Sequence, residues 1–282
     1  MRYRHLRFPG FKTKAFTMSF DDGTTDDIRL VGIMNKYGLK GTFNISSAKL
    51  GEDETAPCPR HITKNEAKDL YLPAGHEVAV HGLRHISPYL STSPVRIREM
   101  LEDRIGLEHI FGQLVFGMAI PDDGRITPEM IEQFRTLGFH YCRGLTYRDD
   151  FALPDDFMYL GPTVKFNHPT LGEKLDRFLA ADPNKEYISH RDPLLFYMWG
   201  HSHELRGQDN WYLIDEVGEK LQEHDEVWLA TNGEIVEYVR AWRALESSAD
   251  DSILRNNTMT TLYMEVDQKN VVIRPGDTLY FE

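Results

Sequence analysis

Short apolar runs rich in β-branched and aromatic residues alternate along the chain with segments whose apolar positions recur every three or four residues. The first pattern predicts strands at 14–20, 40–45, 76–80, 113–119, 139–142, 158–166, 195–199 and 226–230. The second predicts helices at 26–37, 64–72, 95–111, 128–137, 171–181, 210–224 and 233–245. A strand-then-helix repeat buries a parallel sheet under helices. Seven or eight such units read as an α/β fold of the distorted (β/α)7-type barrel kind, incompletely closed.

The helix starts carry their own signals. Thr63 with Glu66, Thr170 with Glu173 and Thr231 with Glu234 have the spacing of capping boxes, which satisfy orphan backbone N–H groups. Pro128 after Thr127 suits a first helical position, and Gly38 and Gly138 stand where left-handed residues end helices. Beyond residue 250 the helical period disappears, and strands are expected at 260–266, 271–274 and 278–281 around a polar turn at 267–270. This divides the chain into a barrel domain, 1–249, and a small C-terminal β appendage, 250–282.

Composition narrows the partners. Lys plus Arg number 32 against 44 Asp plus Glu, a formal charge of −12 that opposes broad attraction to nucleic acid or to an anionic membrane. A neutral or cationic small molecule or oligosaccharide is the expected substrate. Cys58 and Cys142 are the only cysteines, so neither a disulfide framework nor a cysteine zinc site is expected, and the thiols read as unpaired, one of them buried in a strand. With no apolar run of membrane-spanning length and no export signal, the expectation is a soluble, cytoplasmic protein.

In a (β/α) barrel, chemistry comes from the carboxyl ends of the strands. There the first predicted barrel strand delivers Asp21-Asp22-Gly23, the third His81 and His85, the fourth Pro121, the fifth Arg143 and the seventh His201 and His203. Each is ordinary alone, since Asp-Asp-Gly is a common turn and two histidines four apart are common anywhere. Together at one rim, a carboxylate pair and a histidine pair form an O,N,N donor set suited to one divalent transition metal, zinc first, with cobalt, nickel or manganese as alternatives. Three protein donors leave positions open for water and a carbonyl. One aspartate can ligate while the other takes a proton.

The segments FTMSFDDG, KGTFNIS, GHEVAVHGLRH, FGMAIPDDG and TLGFHYCRG occur in the order that resembles the polysaccharide deacetylase (NodB-homology) family, over roughly residues 12–245. The resemblance implies a distorted (β/α) barrel that removes N-acetyl, sometimes O-acetyl, groups from amino sugars. It implies Asp21 as catalytic base, Asp22, His81 and His85 as metal ligands, and a late histidine as general acid, His201 being preferred over His203. Pro121, Trp199 and His203 are candidate substrate contacts, and Tyr197, Trp199 and Trp211 could stack on a sugar. The family pattern has an arginine where this chain has Ala119, and Arg143 is the expected substitute. No Asp-x-x-Asp-Trp-like segment is present to partner the general acid. Two other readings keep the metal site: an amidohydrolase acting on a cyclic imide or ureide, and a non-catalytic metal-containing carbohydrate-binding protein.

Overall fold

Strand β2 (Lys14–Asp21) is buried at every position, as a strand covered on both faces of a parallel sheet must be. It follows β1 (Arg4–Arg7) and leads through α1 (Asp27–Lys36), β3 (Gly41–Ile45), α2 (Lys64–Leu70), β4 (Glu77–Val80), α3 (Ser93–Phe111), β5 (Gly117–Ala119), α4 (Pro128–Thr136) and β6 (Tyr141–Arg143). After β7 (Val164–Lys165) come α5 (Leu171–Ala180), β8 (Leu194–His201), α6 (Ser202–Gly207), α7 (Tyr212–Gln222), β9 (Val227–Leu229) and α8 (Asn232–Arg243). The chain ends in β10 (Glu246–Ser247), β11 (Ile253–Arg255), β12 (Leu262–Val266), β13 (Lys269–Ile273) and β14 (Thr278–Tyr280). This computed structural model describes residues 2–51 and 60–281; Cys58 lies outside them.

The parallel strands run β6-β5-β4-β3-β2-β8-β7, with β9 paired to the first half of β2. A parallel bridge between Arg143 and Leu160 brings the segment before β7 back to β6 and curls the sheet into a distorted (β/α)7-type barrel. Side chains alternate between two environments. Phe16, Met18 and Phe20 of β2 join a core with Leu30, Val31 and Met34 of α1, Met100 and Leu107 of α3, Phe134 of α4 and Phe178 of α5. The intervening positions face inward and are markedly polar: Thr17 donates to Asn232, and Ser19 shares a 2.7 Å hydrogen bond with Tyr197.

Helix α8 starts against the sheet, where the Asn232 N–H donates to the Thr42 hydroxyl and the Gly233 N–H to the Glu77 carboxylate. Its capping box, Thr231 with Glu234, is formed, as is that of α2, Thr63 with Glu66. The third expected box is absent: Thr170 makes no cap bond, and its hydroxyl lies 2.8 Å from His168 Nδ1 instead. Gly38 and Gly138 have φ of 65° and 81°, as the helix ends require. Two expected strands are shorter than read. Pairing begins only at Gly117, and the 158–166 run contains a 3₁₀ turn (Phe157–Tyr159) before β7.

The last strands form two antiparallel sheets, β1-β12-β13 and β10-β11-β14. Their apolar residues Leu254, Leu262 and Met264 share one cluster with Ile235 and Val239 of α8 and with Tyr197 and Trp199 of β8. Cys142 is buried in β6 as a free thiol. No helix among the described residues is long and apolar enough to cross a membrane.

Candidate active site

Asp21 is the last residue of β2, and its Cα partners in the neighbouring strands are Asn44 and His201. It is 2% exposed. Asn44 Nδ2 donates to Asp21 Oδ1 at 2.7 Å, and the Arg143 guanidinium, itself buried, donates to Oδ2. Burial alone would raise the carboxyl, but Arg143, then His81, His201 and Asn44, outweigh it and hold Asp21 below the ordinary carboxylate range.

The chain turns sharply after Asp21. Asp22 has φ of 82°, unusual for any residue with a side chain, and its N–H donates to the Asn44 carbonyl at 3.0 Å. Gly23 follows at φ 61°, where an added Cβ would meet Ile45 Cγ2 at 3.3 Å. The turn leaves both carboxylates within 4.0 Å of His81 Nε2 and of His201 Nε2. At the end of β4, His81 is fixed twice: Asp103 of α3 accepts from its backbone N–H at 3.1 Å, and its Nδ1 lies 3.1 Å from the Ala119 carbonyl. The Nδ1 proton is therefore engaged, and the bare Nε2 points at Asp22 Oδ1, 3.8 Å away. His85, at φ 58°, brings its Nε2 to 3.3 Å from the same oxygen.

The donor atoms of Asp22, His81 and His85 all lie within 4.8 Å of one another, the only such histidine, cysteine or carboxylate group among the described residues. Donors in a tetrahedral shell with bonds of ~2.0–2.1 Å stand roughly 3.3 Å apart, so these separations fit a cation after small adjustments. The protonation state fits too. Burial, reinforced by Arg143 and His85, outweighs the two aspartates and pushes His81 down to about 4, leaving a neutral imidazole above that pH.

His201, ending β8, places its Nε2 3.9 Å from Asp21 Oδ2 and 4.0 Å from Asp22 Oδ2. On its other side Glu204 Oε1 is 3.4 Å from Nδ1, and Lys165 Nζ holds that carboxylate at 2.8 Å. Burial would lower the His201 pKa, but Glu204, Asp21 and Asp22 together raise it. His203 is the second residue of α6, with its ring 5.2 Å from that of His201; burial and the His201 charge lower its pKa.

Among the candidate substrate contacts, Pro121 is buried near Gly82, whose added Cβ would meet Pro121 Cγ at 3.5 Å. The aromatic trio requires a correction. Trp199 is 6% exposed, with the Arg143 guanidinium 5.0 Å from its ring centroid and its indole N–H donating to Tyr147. Tyr197 is inside the barrel and Trp211 lies under Arg29, so none of the three offers an open ring face. Sequence reasoning missed Asn44 and Asp103. It also missed Glu99, whose carboxylate accepts from the Arg84 backbone and guanidinium, and His61, whose Nδ1 lies 3.0 Å from the Asp22 carbonyl.

The solved structures that resemble this chain include a Mycobacterium smegmatis protein assigned as a polysaccharide deacetylase (17% identity, 85% of this chain and 94% of that one, TM-score 0.58). The Puue allantoinase (14%, 82% and 91%, TM-score 0.58) and a family 4 acetyl xylan esterase of Clostridium thermocellum solved with cobalt (15%, 79% and 90%, TM-score 0.51) are similar in the same way. At such identities the likeness establishes the fold. No curated protein matches the chain by sequence. The sequence profile described as polysaccharide deacetylase matches residues 10–142, the stretch that carries Asp21, Asp22, His81 and His85, and over this stretch, just under half of its length, the chain resembles the polysaccharide deacetylase family.

Proposed function

We propose that this protein is a metal-dependent hydrolase that removes an N-acetyl group, with O-acetyl as the secondary case, from an amino sugar or oligosaccharide. The observation that carries the reading is the convergence of the Asp22, His81 and His85 donors beside an Asp21 carboxylate held by Arg143 and Asn44. A divalent cation in that donor set supplies Lewis acidity, polarising an acyl carbonyl and lowering the pKa of water. Asp21, held below the ordinary carboxylate range beside Arg143, accepts the proton of the attacking water. Arg143 and Asn44 keep its oxygens oriented while it does so. His201, whose pKa Glu204 and the aspartates raise, carries the proton that a departing amine requires.

Acetate release from N-acetylglucosamine oligomers by the metal-loaded protein tests this. Asp21→Asn should lower kcat by roughly 10²–10⁴-fold. The fold shared with an allantoinase motivates a second reading, ring opening of a cyclic ureide by the same residues. Hydrolysis of allantoin with no acetate released from N- or O-acetylated sugars would replace the first reading by the second. Sugar binding without turnover of either substrate would leave a metal-containing carbohydrate-binding protein.

A further inference from the structure

Two carboxylates stand one turn apart on the buried face of α3, Glu99 and Asp103, in the row that also carries Arg96, Met100 and Leu107. A buried charge is costly unless it is paired and hydrogen-bonded, and both of these are satisfied by the segment that follows β4. Asp103 accepts from the His81 N–H. Glu99 takes the next residues: its main-chain carbonyl accepts from the Leu83 N–H at 3.1 Å and its Oε2 from the Arg84 N–H at 2.9 Å. Its Oε1 accepts from Arg84 Nε at 2.7 Å and from Nη2 of the same guanidinium. The Glu99 side chain is 1% exposed and that of Arg84 is 61% exposed, so an outlying arginine is tied to an anchor inside the fold.

These bonds hold a tight turn. The His85 N–H donates to the Gly82 carbonyl at 3.1 Å, with Gly82 at φ 77° and His85 itself at φ 58°, a left-handed backbone that a residue with a side chain keeps only where its surroundings fix it. The two histidines are placed by different means. The Ala119 carbonyl orients the ring of His81. The ring of His85 meets that of His81 edge-on, 4.8 Å between centroids, and comes to 3.3 Å from Asp22 Oδ1 on a backbone whose fixed points are Leu83 and Arg84. We propose that Glu99 is a positioning residue for His85: its carboxylate, through the N–H and guanidinium of Arg84, sets the turn that brings the His85 ring to the donor set. Each histidine then has its own anchor on α3, Asp103 for His81 and Glu99 for His85. The inference rests on the metal reading of Asp22, His81 and His85, and its test separates the two.

Glu99→Gln keeps the length of the side chain and one acceptor for the Arg84 N–H, but gives up the charge that holds the guanidinium. Arg84→Met removes the guanidinium at an exposed position and leaves the backbone N–H in place, so it serves where Glu99→Gln does not fold. Titration of the full chain with cobalt, followed by visible absorption, reads the affinity and, at saturation, the arrangement of donors around the ion. Both variants should bind cobalt about 10–100-fold more weakly than the wild type, the usual scale for groups that orient a ligand. Their spectra at saturation should also move toward that of the His85→Ala protein. Wild-type affinity and spectrum in the folded variants would overturn the proposal. Weaker binding with a wild-type spectrum at saturation would overturn it too, since the loss would then belong to the fold and not to the place of His85. Failure of the metal reading looks different: a wild type that takes up no cobalt, or an Asp22→Ala protein that keeps a full equivalent, removes the centre itself and Glu99 with it.

Discussion

Ala119 and Arg143 are Cα partners across the adjoining strands β5 and β6, and from this neighbouring position the Arg143 guanidinium reaches Asp21. The cation that the family pattern places on one strand is thus supplied here by the next. Trp199 packs over it and seals the pair from water, so Arg143 and Asp21 are 1% and 3% exposed at their side chains. The small Ala119 leaves its carbonyl to orient His81.

Because both charges are buried, removing one strands the other. Arg143→Ala should destabilise the fold by about 3–5 kcal/mol and suppress kcat, and Arg143→Lys should recover more stability than activity, since lysine lacks the planar fork. Denaturant melts of the metal-free proteins read this directly. A wild-type midpoint for Arg143→Ala would mean that the pair does not hold Asp21.

Asp103 accepts from the backbone N–H groups of both Ser47 and His81, although burial pushes its own pKa up to about 6. It positions the end of β4 and touches no ligand atom. Asp103→Asn replaces an acceptor by a donor facing one of those N–H groups, and should weaken metal binding by about 10–100-fold, the usual scale for such supporting groups. Competition with a chelator measures it, and an unchanged affinity would remove Asp103 from the support of His81.

The two late histidines differ in surroundings, since only His201 is within 4.0 Å of both aspartates. His201→Ala should slow hydrolysis of an acetamide much more than that of an acetate ester with a good leaving group, because only the amine leaves as a strong base. His203→Ala should slow the two equally. The opposite pattern would transfer the acid role to His203.

The rim residues were legible because each follows a strand whose apolar run is strong, and Asp-Asp-Gly marks a turn wherever it occurs. What supports them was not. Asn44 and Asp103 reach the site from separate elements, and nothing in their local sequence distinguishes them from solvated polar residues. Strand β1 has one aliphatic residue, Leu6, and its buried Arg7 is satisfied by Glu265 and Asn184, partners invisible at that range. Helix α6, six residues long, is too short to show a period. The capping expectation at Thr170 failed because His168 competes for its hydroxyl.

Stability should carry a signature of His76. The Gly41 N–H donates to its Nδ1, its Nε2 is buried without a partner, and burial with nearby Lys40 pushes the ring down to about 4. The unfolded chain therefore binds this proton first. The His76 contribution is fully present above about pH 6.5 and is lost as pH falls toward 4, on the order of 3 kcal/mol in all. Asp27, which burial raises to about 7, acts with the opposite sign over an overlapping window, so the comparison must be between variants. His76→Asn, which can still accept from Gly41, should flatten the decline between pH 6.5 and 4. Parallel stability curves for the two proteins would contradict this assignment.

The central claim is that Asp22, His81 and His85 hold one divalent cation. Elemental analysis of protein dialysed against zinc reads it most directly, with Asp22→Ala, His81→Ala and His85→Ala proteins checked for folding by circular dichroism. The account predicts about one equivalent per chain in the wild type and little in each folded variant, with wild-type occupancy falling as acid protonates the donors. Folded Asp22→Ala and His81→Ala proteins that keep a full equivalent would contradict it.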